Sequence, residues 1–149
     1  MEWLYFIITS IVTWMGGFLL HEYFHKWEAQ KQGIEAHILI KFDKGIPYFI
    51  CIPEAALPNR GRFLLIGGLG SGITLMLLAI IAYTQWYLFV PLFTVGGINL
   101  VYCLYEKRFK DNLSLSTYLR YRLYIYAISG IICLYISTLL LTGTIPFVF

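Results

Sequence analysis

Four long apolar runs constrain the fold of this 149-residue chain more than any other feature of its sequence. They cover about residues 3–32, 63–83, 86–105 and 123–141. Because a helix rises about 1.5 Å per residue, each run is long enough to cross a hydrocarbon core of about 30 Å. Only 13% of the residues are charged, whereas soluble domains carry about 25%. The sequence therefore predicts one integral membrane domain, residues 1–149, that lies in a lipid bilayer.

The segment between the first two runs has the pattern of a β-hairpin. Residues 36–42 and 46–52 are rich in β-branched and aromatic residues, and the turn at 43–45 contains Asp and Gly. Since an isolated two-stranded hairpin is only marginally stable, we expect this one to pack on the membrane domain. The predicted fold class is an all-α membrane protein, with four transmembrane helices and a small β-hairpin at about 36–52 between the first and second.

The positions of the basic residues predict an orientation in the membrane. All 11 Lys and Arg residues lie in two places, either between the apolar part of the first run and the second run, or between the third and the fourth. By the positive-inside rule these two loops are cytoplasmic and both termini are outside, in a multi-pass protein of the cell membrane. The net charge of +3 is small and its residues flank the runs, so nucleic acid is not expected as a partner.

A His-Glu-x-x-His motif lies at the end of the first apolar run. His21 and His25 are four residues apart, so a helix places them on one face, where two imidazoles can bind one Zn²⁺. Glu22 can then act as the general base on a metal-bound water. Ionisable residues in or beside a membrane are costly and indicate a function by default. The motif predicts a zinc site near the cytoplasmic edge of the bilayer, with Glu22 as its catalytic residue.

A catalytic zinc site needs a third protein ligand and an open position for water. That ligand has to lie on the same side of the membrane as the motif. Glu106 follows the third run at a depth that matches the depth of His21 within a few Å. Asp111, in the loop beyond, is the alternative, and the sequence leaves the choice between these two open. Weaker candidates are Glu28, His37 and Asp43.

Residues 21–26, followed by Gln-Gly-Ile at 32–34, resemble the metal helix and the glycine turn of the site-2 protease family of intramembrane zinc metalloproteases. The hairpin lies where this family has β-strands that are thought to receive substrate. Residues 67–71 resemble the family's Gly-Pro-x-x-Asn stretch, with Gly68 at the proline place and Ser71 at the asparagine place.

Asn99 and the leucine after it resemble the start of the family's Asn-x-x-Pro…Asp-Gly motif, whose aspartate is the third zinc ligand. Tyr102 stands at the proline place, and no Asp-Gly follows. Glu106 falls one place short of the expected spacing, whereas Asp111 has the expected residue type farther along. The resemblance implies the family's three-helix core with one additional C-terminal span.

We therefore expect a zinc-dependent intramembrane endopeptidase that hydrolyses membrane-spanning proteins or peptides near the cytoplasmic side. A membrane-spanning helix satisfies its backbone hydrogen bonds internally, so a substrate has to unwind or add to a strand edge of the hairpin. The alternative is a catalytically inactive metal-binding or structural multi-pass protein, which needs both histidines but not Glu22. A membrane di-iron site is strongly disfavoured because it needs many more histidines than the three present.

Overall fold

The computed structural model describes residues 1–43 and 46–143. This part of the chain forms six elements, which are α1 (Glu2–Lys31), β1 (Ala36–Asp43), β2 (Ile46–Pro53), α2 (Arg60–Ile81), α3 (Trp86–Phe109) and α4 (Leu115–Leu141). All four helices are long and apolar enough to cross a membrane, which is the architecture of a multi-pass membrane protein. The predicted arrangement of four such helices, with one hairpin between the first and second, is confirmed.

Three helices extend beyond the apolar runs that predicted them. α3 continues to Phe109 rather than ending near residue 105, so Glu106 lies inside the helix. α4 begins at Leu115 rather than near residue 123, and α2 begins at Arg60 rather than at 63, where the side chain of Asn59 caps it by accepting from the backbone N–H of Arg62. An apolar run ends at the first charged residues, whereas Lys, Arg and Glu also favour helix, so the helices continue past the ends of the runs.

The hairpin pairs β1 with β2 in antiparallel register, from Ala36 opposite Pro53 to Asp43 opposite Ile46. The predicted strands at 36–42 and 46–52 are therefore confirmed, and each is one residue longer. The predicted turn includes residues 44 and 45, which lie outside the described residues, as does the apolar tail at 144–149. Both strands pack against α1, so the expected docking of the hairpin on the helices is also confirmed.

α3 packs against each of the other three helices and is the most enclosed of them. Its approach to α2 depends on small residues. A Cβ atom at Gly68 would lie 2.4 Å from the carbonyl oxygen of Asn99, and one at Gly72 would lie 2.9 Å from that of Gly96. Small residues allow transmembrane helices to come this close, so these glycines bring α2 against the face of α3 that carries Asn99.

A proline inside α3 provides a second tie between helices. Pro91 has no N–H, so the carbonyl oxygen of Tyr87, one turn earlier, loses its helical partner. The hydroxyl group of Thr9 on α1 lies 2.5 Å from that oxygen. This contact fixes the start of α1 beside the first half of α3. The His-Glu-x-x-His motif, farther along α1, lies beside the second half of α3.

Candidate metal centre

His21 and His25 lie one turn apart on the buried face of α1 and meet Glu106 of α3. The Nε2 atoms of the two imidazoles are 3.0 Å apart. The Oε2 atom of Glu106 lies 3.2 Å from that of His21 and 3.3 Å from that of His25. In tetrahedral coordination with zinc–nitrogen bonds of about 2.0–2.1 Å, neighbouring ligand atoms are about 3.3 Å apart. These three atoms, which we call the ligand triangle, therefore have the spacing of one face of a zinc tetrahedron.

The other ring nitrogen of each histidine fixes its tautomer. The Nδ1 atom of His25 lies 2.7 Å from the carbonyl oxygen of Phe63, which can only accept, so this nitrogen carries the proton. The Nδ1 atom of His21 lies 3.0 Å from Oδ1 of Asn99, whose amide nitrogen donates to the carbonyl group of Val95. The same tautomer is therefore assigned to both rings, and both Nε2 atoms present lone pairs to the triangle.

Two imidazole lone pairs and one carboxylate oxygen thus converge in a buried space. Electron-pair donors that face each other without a positive charge between them are costly to bury. A cation bound by all three removes that cost. Two nitrogens and one carboxylate oxygen form a donor set that is common in catalytic zinc sites, and outer partners such as Asn99 and the Phe63 carbonyl are the usual second layer of such sites. The residues present therefore fit Zn²⁺.

The structure places the two candidates for the third ligand differently. Glu106 is 2% exposed and directs Oε2 to the histidines, while its Oε1 atom contacts the ammonium group of Lys110. Asp111 is exposed and forms a bidentate ion pair with Arg60, with distances of 2.7 Å and 2.6 Å. The hydrogen bonds from that guanidinium lower the pKa of Asp111. The geometry therefore brings Glu106, and not Asp111, to the two histidines.

Two of the weaker candidates, Glu28 and His37, have other partners. The buried carboxylate of Glu28 accepts from Gln32 at 2.9 Å and forms an ion pair with Arg62 at 3.0 Å. His37 pairs with Glu54 at 2.5 Å on the exposed surface of the hairpin. The side chain of Asp43 lies outside the described residues.

Glu22 lies between the ligand triangle and the hairpin. A carboxylate oxygen of Glu22 lies within 4.8 Å of an imidazole nitrogen of His21 and of one of His25. Its Oε2 atom accepts a hydrogen bond of 2.6 Å from the backbone N–H of Cys51 in β2. The predicted base is therefore next to the predicted ligands, and a strand of the hairpin holds its carboxylate.

The N–H group of Cys51 points away from β1. The amide of Glu54 donates to the carbonyl oxygen of Glu35 at 2.8 Å, and hydrogen-bonded and non-bonded pairs alternate along an antiparallel ladder. The backbone N–H and C=O groups at positions 47, 49, 51 and 53 therefore point outward, away from β1. Positions 47 and 53 are prolines, which have no N–H to donate. The outward donors of β2 are Phe49 and Cys51.

Three of these contacts were not predicted from the sequence. The carbonyl group of Phe63 and the amide group of Cys51 are backbone groups, which carry no residue-type signal. Gly67 is a third case, because a Cβ atom there would lie 2.4 Å from Nε2 of His25. The contact between Lys110 and Glu106 does have a signal in the sequence, because the two residues are four apart, the spacing of an ion pair on a helix.

Comparisons with known proteins do not supply a function. No protein-family model matches the chain, and no curated protein or solved structure matches it either. A function therefore has to be inferred from the geometry of the chain's own residues.

Proposed function

We propose that this chain is a zinc-dependent endopeptidase that cleaves membrane-spanning proteins or peptides near the cytoplasmic face of the bilayer. The ligand triangle of His21, His25 and Glu106, with Glu22 beside it, is the observation that carries the proposal. The charge distribution supports an orientation with both termini outside. The resemblance of residues 21–26 and 32–34 to the site-2 protease family supports the same chemistry.

In this proposal, each residue of the site has one role. His21, His25 and Glu106 would hold Zn²⁺, which would supply a Lewis acid for the peptide carbonyl and for the attacking water. Glu22 accepts a proton from the attacking water and later gives it to the leaving amine. Asn99 holds the ring of His21 in the tautomer that directs Nε2 to the site, and Phe63 does the same for His25 through its carbonyl oxygen.

The hairpin provides a place for an extended substrate. A membrane-spanning helix has no free backbone groups, so a segment has to unwind before its peptide bond can be attacked. The outer edge of β2 offers the N–H groups of Phe49 and Cys51, and the second of these lies at Glu22. A segment that adds to this edge by β-augmentation runs beside the ligand triangle.

The decisive experiment compares the wild type with Glu22→Gln in liposomes that contain a model transmembrane peptide. Glutamine has the shape of glutamate but cannot take a proton. We expect both proteins to bind zinc, and cleavage by the variant to fall by at least about 100-fold, the usual contribution of a general base. Glu2→Gln changes an exposed carboxylate at the opposite end of α1 and is the control, with zinc and cleavage both retained.

Two results would contradict the proposal. Equal cleavage by the wild type and by Glu22→Gln excludes Glu22 as the base. Zinc binding by both proteins, without cleavage of any membrane-spanning peptide by either, instead favours a metal-binding or structural membrane protein.

A further inference from the structure

We propose that Glu22 and an extended substrate segment compete for one hydrogen-bond donor, the backbone N–H of Cys51. Without substrate, the carboxylate of Glu22 occupies this donor. A segment that adds to β2 takes the donor and releases Glu22 for the attacking water. The base is then free only when a substrate strand is in place. This inference rests on the proposed function and concerns the regulation of the same site.

The first support is the small number of donors on the outer edge of β2. An added strand bonds to the outward N–H groups, and proline removes this group at positions 47 and 53. Phe49 and Cys51 remain. A segment that pairs with β2 over its ordinary repeat uses the N–H of Cys51, because Phe49 is the only other outward donor and the outward carbonyl groups of β2 can only accept. Substrate and Glu22 therefore require the same atom.

The second support is the position of Cys51 relative to the ligand triangle. The amide nitrogen of Cys51 lies 2.6 Å from Oε2 of Glu22. A carboxylate oxygen of Glu22 is in turn within 4.8 Å of an imidazole nitrogen of each histidine. A substrate carbonyl that replaces the Glu22 oxygen at this amide consequently brings the substrate backbone next to the triangle. The hydrogen bond that displaces the base also sets the register of the strand.

The third support is that the release of Glu22 from β2 needs no movement of a helix. The Glu22 carboxylate is connected to α1 by three rotatable bonds, so it can leave the strand by side-chain rotation alone. A hydrogen bond to a charged group changes an equilibrium constant roughly 10- to 100-fold. A donor occupied by Glu22 therefore weakens strand binding by a measurable factor.

The test measures the binding of a blocked peptide of alternating valine and threonine, about eight residues long like an ordinary strand, to the purified protein in detergent. Glu22→Ala removes the competitor, and we expect it to bind the peptide about 10-fold more tightly than the wild type, or more. Cys51→Pro removes the shared donor, which β1 does not use, and is expected to weaken binding. In the Cys51→Pro background, Glu22→Ala should give no further change, because the competition no longer exists.

Matched variants separate the competition from other effects. Cys51→Ala keeps the N–H group, so the tightening caused by Glu22→Ala should persist in this background. Phe49→Pro removes the other outward donor but should keep the tightening caused by Glu22→Ala. Glu35→Ala removes an exposed negative charge near the hairpin and should change nothing. The proposal is overturned if Glu22→Ala does not tighten binding, if it tightens binding equally in the Cys51→Pro background, or if the peptide binds to no variant.

Amide hydrogen exchange gives a second readout that does not need the proline variant to fold. The Cys51 amide should exchange at least about 10-fold faster in Glu22→Ala than in the wild type, while the Phe49 amide is unchanged; equal exchange of Cys51 in both proteins would show that Glu22 does not hold it. Neither measurement requires zinc or cleavage. A chain that passes both and cleaves nothing contradicts only the proposed protease activity, whereas an active protease that fails them contradicts only the competition.

Discussion

His25 and Glu106 are 81 positions apart in the chain, yet Nε2 of the first lies 3.3 Å from Oε2 of the second. The contact joins α1 to α3 in a place where both side chains are almost fully buried. Buried ionisable groups need partners to be tolerated. Glu106 meets this requirement with both oxygens, since one faces the histidines and the other contacts Lys110.

Glu106→Ala and Asp111→Ala distinguish the two candidates for the third ligand. We expect Glu106→Ala to lose zinc, with a loss of affinity beyond the roughly 10- to 100-fold that removal of an outer partner costs. Asp111→Ala should keep zinc, because its carboxylate pairs with Arg60 on the exposed surface. Metal analysis of the purified proteins measures both. Loss of zinc in the Asp111 variant alone would contradict the assignment.

Asn99→Leu tests the outer partner of His21. The substitution removes the acceptor that holds Nδ1–H, so the ring is free to turn or to change tautomer. Zinc affinity should fall roughly 10- to 100-fold, as measured by competition with a chelator. Asn99→Asp keeps an acceptor and should retain more affinity than the leucine variant. Asn112→Leu changes an exposed asparagine and should have no effect; an equal loss in all three variants would exclude a specific role for Asn99.

The sequence predicted the local parts of this site and left the distant part open. The two histidines and the hairpin follow from residue patterns over a few positions. Glu106 and Asp111 both follow the third apolar run, and a run of apolar residues does not indicate where its helix ends. Because α3 continues to Phe109, Glu106 stays on a helix face directed to α1, whereas Asp111 lies beyond the last turn.

The contact of Glu22 with the hairpin could not be predicted from the sequence, for a different reason. The Glu22 carboxylate binds a backbone N–H group, and every residue except proline has one. Only the alternation along β2 and its docking on α1 identify Cys51 as the donor. For the same reason, the carbonyl group that orients His25 was not predictable.

Gly67→Ala tests the close approach of α2 to the site. The added methyl group would meet the ring of His25 at 2.4 Å, so the ring has to move away from the triangle, and we expect strongly reduced zinc binding. Gly61→Ala is the matched control on the same helix, since its Cβ atom would have its nearest contact at 3.9 Å. Alanine favours a helix over glycine by roughly 0.5–1 kcal/mol, so the control should keep zinc with unchanged or slightly higher thermal stability. Zinc retained by Gly67→Ala at the wild-type level would contradict the packing described.

The ion pair between Arg60 and Asp111 predicts a small dependence of stability on pH. The guanidinium lowers the pKa of Asp111 in the folded state, so its contribution is complete above the unfolded pKa of about 3.9 and is lost as the pH falls through the lowered value. Both side chains are about half exposed, which limits the contribution to about 1 kcal/mol or less. Asp111→Asn should therefore be less stable than the wild type by that amount at neutral pH, and the difference should shrink in acid and in high salt, as measured by unfolding in detergent. A difference that does not change with pH would mean that Asp111 acts through packing or hydrogen bonding rather than through its charge.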